Sequence, residues 1–329
     1  MSFWLEKRVV VTGGAGFIGH RIVRKLVDLG ARITVIDDLS KGAQENLDGL
    51  LDRIDLIQKD LLDPEVTRDV LKDCEICFHL AARIGGIGYF HRLPATILRD
   101  NSIMNFNLWD AASSSNTKVV GLSSSMVFER VGIFPTPEEA VEKSPPPKTA
   151  YGFSKLSTEY VAKAYYDQFG VGYVIARPFN AYGPGEAPGD YVGYAHVIPD
   201  LVRKIFSGEY PLEILGSGKQ TRCYTYVDDI ADGIIYVAEK GENDIFNIGT
   251  SSETSVLELA EMIWKLSGRT EAFRVEHVPA YEDDVERRAP DTSKATSLGW
   301  VPRVNLNEGL ERTVKWLRPR LVAQDHCRS

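Results

Sequence analysis

A tyrosine and a lysine stand four residues apart in the segment TAYGFSK, at positions 151 and 155. If this segment is helical, the two side chains lie on one face and can meet. A neighbouring ammonium group favours the ionised form of a phenol, so it would lower the pKa of Tyr151 and make the phenol a usable general base. Because the pattern is short, its significance depends on two other features: the serine-rich strand end TKVVGLSSS and a glycine-rich turn near the N-terminus.

The glycine-rich turn has the features of a dinucleotide-binding site. The segment RVVVT predicts a strand, and it leads through GGAGFIG into the helical pattern FIGHRIVRKLVDLG. Small residues at positions 13, 16 and 19 let the backbone approach a pyrophosphate at the helix N-terminus. The next predicted strand ends in Asp37 and Asp38, where a carboxylate accepts hydrogen bonds from ribose hydroxyls and repels a 2′-phosphate. The sequence therefore predicts NAD as the cofactor, in preference to NADP.

The elements that must position these residues alternate along the first half of the chain. Short β-branched segments are separated by amphipathic stretches, which is typical of a parallel sheet with helices on both faces; they are RVVVT, RITVID, IDLIQKD, EICFHLAA, TKVVGLSS and GYVIARP. The Gly- and Pro-rich segment NAYGPGEAPGDYVG predicts a loop. We expect an α/β fold with a Rossmann-type doubly wound parallel sheet over residues 1–179, to which 221–250 returns. Residues 180–220 and 251–329 should form a smaller C-terminal α/β substrate lobe.

Composition excludes several classes of function. The 329 residues are 43% hydrophobic and 26% charged, as in an ordinary globular protein, and the net charge of −8 argues against a nucleic-acid surface. There is no apolar run of about 18 residues and no signal-peptide pattern, so we expect a cytoplasmic protein that does not bind membranes. The pair Cys74 and Cys77 has no second pair to complete a zinc site. We expect these cysteines to begin a buried strand, and we expect no metal.

The order of motifs along nearly the whole chain resembles the extended short-chain dehydrogenase/reductases, in particular the nucleotide-sugar epimerases. The motifs that carry this resemblance are TGGAGFIG, DDLSKGAQENL, DLLD, HLAA, DNSIMNFNLWDAA, SSSMVF, YGFSK, RPFNAYGPG, HVIPDL, TRCYTYVDDIADG, FNIG and RRAPDTSKATSLGW. The resemblance implies a Rossmann lobe that holds NAD tightly and a C-terminal lobe that binds an NDP-sugar in the cleft between them. It also implies a homodimer, formed through the helices near 96–113 and 151–169.

The resemblance implies a role for individual residues as well. Ser124 matches a serine that hydrogen-bonds the sugar hydroxyl, Tyr151 matches the catalytic base, and Lys155 matches the lysine that binds the nicotinamide ribose and tunes the tyrosine. The implied cofactor-binding residues are Gly13, Gly16, Phe17, Ile18, Gly19, Asp37, Asp60, Leu61, Ala81, Ala82, Asn101, Tyr151 and Lys155. The implied substrate-binding residues are Gly86, Ser125, Met126, Asn180, His196, Arg222 and Arg287. Two separated arginines suit a pyrophosphate in an otherwise acidic protein.

Met126 narrows the predicted chemistry. The loop IGGIGYF at 84–90 resembles the GDP-fucose synthase and GDP-mannose 3,5-epimerase branch, whose members use a cysteine at this position together with a His or Lys from the C-terminal lobe. A thioether neither donates nor accepts a proton at neutral pH, so only His196 of that pair is present. The sequence therefore favours epimerisation at C4 by hydride transfer, through a transient 4-keto sugar.

Two alternatives stay open. One is a 3,5-epimerase or an epimerase-reductase acting on a GDP- or dTDP-linked sugar, with His196 as a proton-transfer group. The other is an NAD-binding regulatory module without turnover, which the presence of both Tyr151 and Lys155 disfavours. Beside the loop at 84–90, the side chains of Arg83, Tyr89 and His91 either recognise a sugar carboxylate or face solvent.

Overall fold

The computed structural model describes residues 2–186, 188, 195–280 and 285–328, without the side chains of 87 and 322–328. The described strands are β1 (Arg8–Thr12), β2 (Arg32–Asp37), β3 (Ile54–Gln58), β4 (Ile76–His79), β5 (Lys118–Leu122), β6 (Tyr173–Pro178), β7 (Ala181–Tyr182), β8 (Leu212–Leu215), β9 (Thr221–Arg222), β10 (Thr225–Tyr226), β11 (Asp244–Ile248), β12 (Thr254–Ser255), β13 (Val275–Val278) and β14 (Arg287–Arg288). The described helices are α1 (Gly19–Asp28), α2 (Pro64–Leu71), α3 (Ile87–Arg92), α4 (Pro94–Ser115), α5 (Ala150–Phe169), α6 (Val197–Phe206), α7 (Val227–Lys240), α8 (Val256–Ser267), α9 (Ser293–Ser297) and α10 (Leu306–Arg328).

Seven of these strands form one parallel sheet in the order β11-β6-β5-β4-β1-β2-β3. In the register of β1, Thr12 lies beside Ile36 of β2 and His79 of β4. The chain order reverses between β1 and β4, and such a reversal opens a crevice at the carboxyl ends of the strands. The predicted Rossmann-type doubly wound fold is confirmed.

Helices cover both faces of the sheet because each presents one apolar stripe. On one face, α1 buries Ile22, Val23 and Leu26 in a core that it shares with α7. On the other face, α2, α4 and α5 enclose a second core around Leu108 and Trp109. Helix α5 starts at a Thr149 cap, whose side chain accepts a hydrogen bond from the Gly152 N–H, and it ends at a left-handed Gly170. The helix that carries Tyr151 and Lys155 is therefore defined at both ends.

A third apolar core belongs to the C-terminal part of the chain. It is built by α6, α8 and α10 around residues such as Leu201, Leu259 and Leu310. Small sheets pair β7 with β10, β8 with β13, and β9 with both β12 and β14. The strand β11 and the helix α7 instead pack with the large sheet. We keep the predicted lobe boundaries as a proposal.

Cys77 is buried within β4, as the sequence predicted, and Cys74 is buried two residues before that strand begins. Most of the second half of the predicted loop 180–193 lies outside the described residues. Within the described part of the chain, none of the helices has both the length and the apolar character needed to cross a membrane.

Candidate active site

A cleft of about 1200 Å³ lies at the carboxyl ends of the parallel strands and extends toward the C-terminal lobe. It is lined by most of the residues that the sequence singled out, namely Gly13, Gly16, Phe17, Ile18, Gly19, Asp37, Asp60, Leu61, Ala81, Ala82, Gly86, Ser124, Ser125, Met126, Tyr151, Asn180, His196 and Arg222. Three of the predicted site residues, Asn101, Lys155 and Arg287, do not line it. The folded chain thus brings one large set of predicted residues to a common surface and leaves three beside it.

The glycine turn between β1 and α1 has the shape that a dinucleotide requires. Gly13 has a φ of +67°, in the left-handed region, and a Cβ at this position would lie 2.8 Å from the Ala81 nitrogen. A Cβ on Gly19 would overlap the carbonyl oxygen of Gly13. Because only glycine leaves this space open, the cradle fits a pyrophosphate at the N-terminus of α1.

This close approach predicts the effect of adding one methyl group. We expect Gly19→Ala to displace the turn, at a cost of about 1–3 kcal/mol, and to weaken NAD binding by about tenfold or more. The matched control is Gly132→Ala, because a Cβ at Gly132 meets nothing within 4 Å. Bound NAD per protein after desalting measures the effect, and equal NAD content in the two variants would contradict this account of the turn.

The Asp37 carboxylate faces the cleft and also supports the glycine turn between β1 and α1. It is buried and accepts hydrogen bonds from the Ala15 N–H at 2.9 Å and from the Leu39 N–H at 2.9 Å. Burial raises the pKa of Asp37, although these two hydrogen bonds act in the opposite direction. Each carboxylate oxygen keeps a second lone pair. The group can therefore support the glycine turn and still accept a ribose hydroxyl.

Tyr151 is almost completely buried at the sheet side of the cleft. Its ring stacks on that of Phe90, with centroids 4.5 Å apart and planes inclined by 6°. Burial raises the pKa of the phenol, while a hydrogen bond with the Ser124 side chain opposes that change. The pKa of Tyr151 is therefore raised, whereas the sequence predicted that the neighbouring lysine would lower it. The Lys155 ammonium lies over the ring of Tyr151 and makes no hydrogen bond to the phenol, so desolvation of the phenol dominates its pKa.

Lys155 points toward the end of β5 and does not reach the cleft surface. Its Nζ donates a hydrogen bond of 2.7 Å to the Leu122 carbonyl oxygen, and it lies 5.9 Å from the Tyr151 ring centroid. Burial lowers the pKa of Lys155 to about 8. Tyr151 and Lys155 therefore lie on one face of α5, as predicted, but they are not joined by a direct hydrogen bond.

The segment SSSMVF follows β5 and forms a short 3-10 helix from residue 125 to 128. The Ser124 hydroxyl accepts a hydrogen bond of 3.2 Å from the Met126 N–H and lines the cleft. Ser125 is buried, and Met126 packs against the cluster formed by Phe90 and Tyr151. Met126 is therefore part of the apolar wall that holds the tyrosine, and it brings no proton-transfer group to the site.

Two predicted asparagines support loops of the site. Asn101 accepts a hydrogen bond of 2.7 Å from the Arg83 N–H and donates one of 3.2 Å to the Ser154 hydroxyl. It thereby ties the loop after β4 to α5, and it does not line the cleft. Asn180 lines the cleft in a left-handed conformation with φ of 42°, which asparagine tolerates better than most residues. Its side chain donates to the Cys223 carbonyl oxygen at 3.3 Å.

His196 pairs with an acidic residue that sequence reasoning missed. The imidazole Nδ1 contacts Glu186 Oε1, and both residues line the cleft. The negative charge of Glu186 is the main cause of a raised His196 pKa. Although His196 is the N-cap residue of α6, its side chain makes no capping hydrogen bond. Glu186 lies ten residues earlier in a Gly- and Pro-rich loop, so neither helical nor strand spacing could have linked the two.

The arginines of the C-terminal lobe require one correction. Arg222 is buried on β9 and lines the cleft. Arg287 lies on the opposite side of β14, where it forms an exposed ion pair with Glu253 at 2.6 Å. Its neighbour Arg288 lines the cleft and lies beside Arg222 in register. Successive side chains of a strand point to opposite faces, so of the two arginines in the motif RRAPD only Arg288 faces the cleft.

Taken together, the doubly wound sheet, the glycine turn, the acidic end of β2 and the Tyr151–Lys155 helix define an NAD-binding enzyme of the short-chain dehydrogenase/reductase type. Comparison with known proteins narrows this class. The model of the NAD dependent epimerase/dehydratase family matches residues 9–249, and the chain belongs to that family.

Individual proteins similar to this chain act on nucleotide sugars according to their names. UDP-glucuronic acid decarboxylase 1 of Arabidopsis thaliana is 32% identical over 323 residues, which are 97% of this chain and 71% of that protein. The crystal structure of UDP-glucose 4-epimerase with UDP-glucose from Thermotoga maritima is 33% identical with a TM-score of 0.86, covering 95% of this chain and 99% of that one. The UDP-glucose 4-epimerase of Thermus thermophilus, in complex with NAD, is 28% identical with a TM-score of 0.82, covering 94% of this chain and 99% of that one. The predicted NAD cofactor is confirmed.

Proposed function

We propose that the protein is an NAD-dependent nucleotide-sugar epimerase that inverts C4 through a transient 4-keto sugar. The observation that carries this proposal is the placement of Tyr151 and Ser124 on one wall of a cleft whose glycine turn fits NAD, beside a methionine that offers no second proton-transfer group. When bound, NAD would serve as the acceptor of a hydride from a sugar carbon and as the donor that returns it. The similarity to UDP-glucose 4-epimerases supports the same reaction.

In the proposed reaction, Tyr151 transfers the proton of the sugar hydroxyl, and Ser124 and Lys155 support the phenol. Tyr151 removes the proton of the C4 hydroxyl and later gives it back to the ketone oxygen on the other face of the sugar. The Ser124 hydroxyl stabilises the ionised phenol by donating a hydrogen bond, which counteracts the effect of burial on its pKa. The Lys155 ammonium, held by the Leu122 carbonyl oxygen, adds a positive charge beneath the phenol.

Binding through the nucleotide explains how the sugar can turn over. Arg222 and Arg288 line the part of the cleft formed by the C-terminal lobe, at adjacent register positions of β9 and β14. Two arginines at this spacing suit a diphosphate, because guanidinium groups bind phosphate oxygens in pairs of hydrogen bonds. With the diphosphate fixed, the ketone is free to rotate and present its opposite face. His196 and Glu186 then act as hydrogen-bonding partners for sugar hydroxyls.

The test is an NMR assay in deuterated water with uridine-, guanosine-, thymidine- and cytidine-linked hexoses, using the enzyme with its own cofactor. We expect a C4 epimer that carries no deuterium on carbon. Deuterium at C3 or C5 would instead assign proton transfer to His196 and support the 3,5-epimerase alternative. Consumption of NADPH with formation of a reduced sugar would support the epimerase-reductase alternative, and binding of NAD without turnover of any sugar would support a regulatory module.

Similarity to a UDP-glucuronic acid decarboxylase adds a second candidate reaction. Oxidation at C4 of a sugar with a carboxylate at C6 gives a β-keto acid, which loses carbon dioxide readily. The same cleft and the same Tyr151 would serve that reaction. The assay therefore includes UDP-glucuronic acid, and a pentose product would favour decarboxylation over epimerisation.

The two neighbouring arginines of β14 give a matched pair of variants. We expect Arg288→Gln to raise KM for the NDP-sugar about 10- to 100-fold, because it removes a charged hydrogen-bond donor from the proposed diphosphate site. Arg287→Gln removes only an exposed ion pair with Glu253, so its KM should stay within about twofold of the wild-type value. Steady-state kinetics measures both variants, and a larger effect of Arg287→Gln would restore the original assignment.

We also propose a homodimer formed through α4 and α5, the helices that the resemblance implied. These two helices leave six large apolar side chains exposed, namely Ile103, Phe106, Phe153, Tyr160, Tyr166 and Phe169. We expect Phe106→Asp to convert the dimer to a monomer in light scattering after gel filtration. Ile133→Asp, at an exposed residue outside these helices, is the control. An unchanged mass for Phe106→Asp would place the interface elsewhere.

A further inference from the structure

Arg83, in the loop after β4, joins several elements around the cofactor side of the cleft. Its guanidinium donates to Asp38 Oδ2 at 3.3 Å and to the Ser40 hydroxyl at 2.9 Å, both in the loop after β2. It also lies 3.8 Å from Asp60 Oδ2 after β3 and 3.3 Å from Asp100 Oδ2 on α4. The Arg83 side chain thus contacts the loop after β2, the loop after β3 and helix α4.

The loops after β2 and β4 meet through a second contact, and residues of α4 support the loop after β4. Lys41 Nζ, in the loop after β2, lies 5.0 Å from the ring centroid of Tyr89 in α3. On the other side, Asn101 fixes the backbone of Arg83, and the buried Asp100 holds the guanidinium. The loop after β4 is therefore tied to α4 and α5, and the bridge from Arg83 to Asp38 and Ser40 joins the loop after β2 to it.

The position of these contacts relates them to the cofactor. Asp38, Ser40, Asp60 and Arg83 line the same cleft as the glycine turn. They lie at the carboxyl ends of β2, β3 and β4, on the side of a Rossmann sheet where a dinucleotide binds. Contacts that bridge the loops after β2 and β4 therefore join two walls of the part of the cleft that fits the cofactor.

We propose that Arg83, by bridging to Asp38 and Ser40, forms a latch that retains NAD between turnovers. Release of the cofactor requires the bridge to open, whereas chemistry at the sugar end does not involve it. This latch rests on the proposed function only in its purpose, because an enzyme that returns its hydride in every cycle gains from a cofactor that stays bound. The sugar-carboxylate role considered for Arg83 is not supported, because its guanidinium already contacts Asp38, Asp60 and Asp100.

The experiment measures cofactor retention directly. NAD per protein is determined after repeated desalting, and the rate of NADH release is followed by fluorescence during displacement with excess NAD, for wild type, Arg83→Gln and Arg83→Lys. We expect Arg83→Gln to release NADH at least about tenfold faster and to lose NAD on desalting, because charged hydrogen bonds are lost. Arg83→Lys keeps the charge but not the planar fork, so its release rate should lie between the two. Turnover of Arg83→Gln should recover at saturating NAD.

The control is Arg32→Gln, which removes an exposed ion pair with Glu6 away from the cleft. Asp38→Asn and Ser40→Ala weaken the other half of the bridge with Arg83 intact, so they test the latch even if Arg83→Gln does not fold. High salt should accelerate NADH release from wild type more than from Asp38→Asn. Release rates within about twofold of wild type for folded Arg83→Gln, or for Asp38→Asn and Ser40→Ala together, would overturn the proposal, whatever sugar the enzyme converts.

Discussion

Tyr151→Phe is expected to lower kcat by about 10²- to 10⁴-fold, the usual contribution of a positioned general acid–base group. The substitution removes one oxygen from a buried ring that stacks on Phe90 at 4.5 Å. Phenylalanine keeps the ring and its packing, so the fold and the NAD content should not change. Initial rates with the NDP-sugar identified by the NMR assay, at saturating substrate, measure the loss.

The same helix supplies a matched control for this change. Tyr160 is 69% exposed on α5, and Tyr160→Phe makes the identical chemical substitution away from the cleft. We expect wild-type kcat for that variant. If Tyr151→Phe kept most of its activity while folded and loaded with NAD, the phenol would not be the proton-transfer group, and the C4 mechanism would have to be abandoned. A loss in both variants would instead indicate a general sensitivity of α5.

Sequence reasoning could reach the sheet and the cofactor because both are specified locally. Strand β1, the glycine turn and helix α1 form one continuous stretch, and the spacing of its glycines relates directly to backbone geometry. The alternation of apolar segments likewise predicts a parallel sheet covered on both faces. The order of the strands, with β4 beside β1, depends on crossover connections that spacing alone does not specify.

The parts of the site that sequence reasoning missed depend on contacts between distant segments. The pairing of His196 with Glu186 and the bridge from Arg83 to Asp38 join loops without periodic pattern. The choice between Arg287 and Arg288 depends on a strand register, which moves a side chain to the other face when it shifts by one residue. The raised pKa of Tyr151 follows from burial, which the spacing of Tyr151 and Lys155 does not report.

The buried Lys155 should make the active site a source of instability as well as of catalysis. Burial lowers the pKa of Lys155 from its ordinary value of 10.5 to about 8. At about 1.4 kcal/mol for each pH unit, this lowering of the pKa corresponds to about 3 kcal/mol. The folded state is destabilised by that amount at neutral pH, because it must then hold Lys155 in its charged form. Removing the amine also leaves the Leu122 carbonyl oxygen without its 2.7 Å hydrogen bond, at a cost of about 1 kcal/mol.

We therefore expect Lys155→Met to be about 2 kcal/mol more stable than wild type near pH 7 in the absence of cofactor, while its kcat falls by about 10²-fold or more. The sign follows from the protons bound. Between pH 8 and 10.5 the unfolded wild-type chain holds a proton on Lys155 that the folded chain has lost, so wild-type stability rises with pH in this window relative to the variant. The advantage of Lys155→Met should thus shrink as the pH approaches about 10.

Urea unfolding of both proteins at about pH 7 and about pH 10, together with initial rates at about pH 7, measures the two effects. Lys163→Met on the exposed face of α5 is the control, and we expect it to change neither stability nor kcat appreciably. A variant that is less stable than wild type at neutral pH would show that Lys155 is held by favourable interactions that outweigh its desolvation. A variant that is more stable but equally active would remove Lys155 from the mechanism. The predicted combination, gain in stability with loss of turnover, is the behaviour of a residue kept for chemistry at the expense of folding.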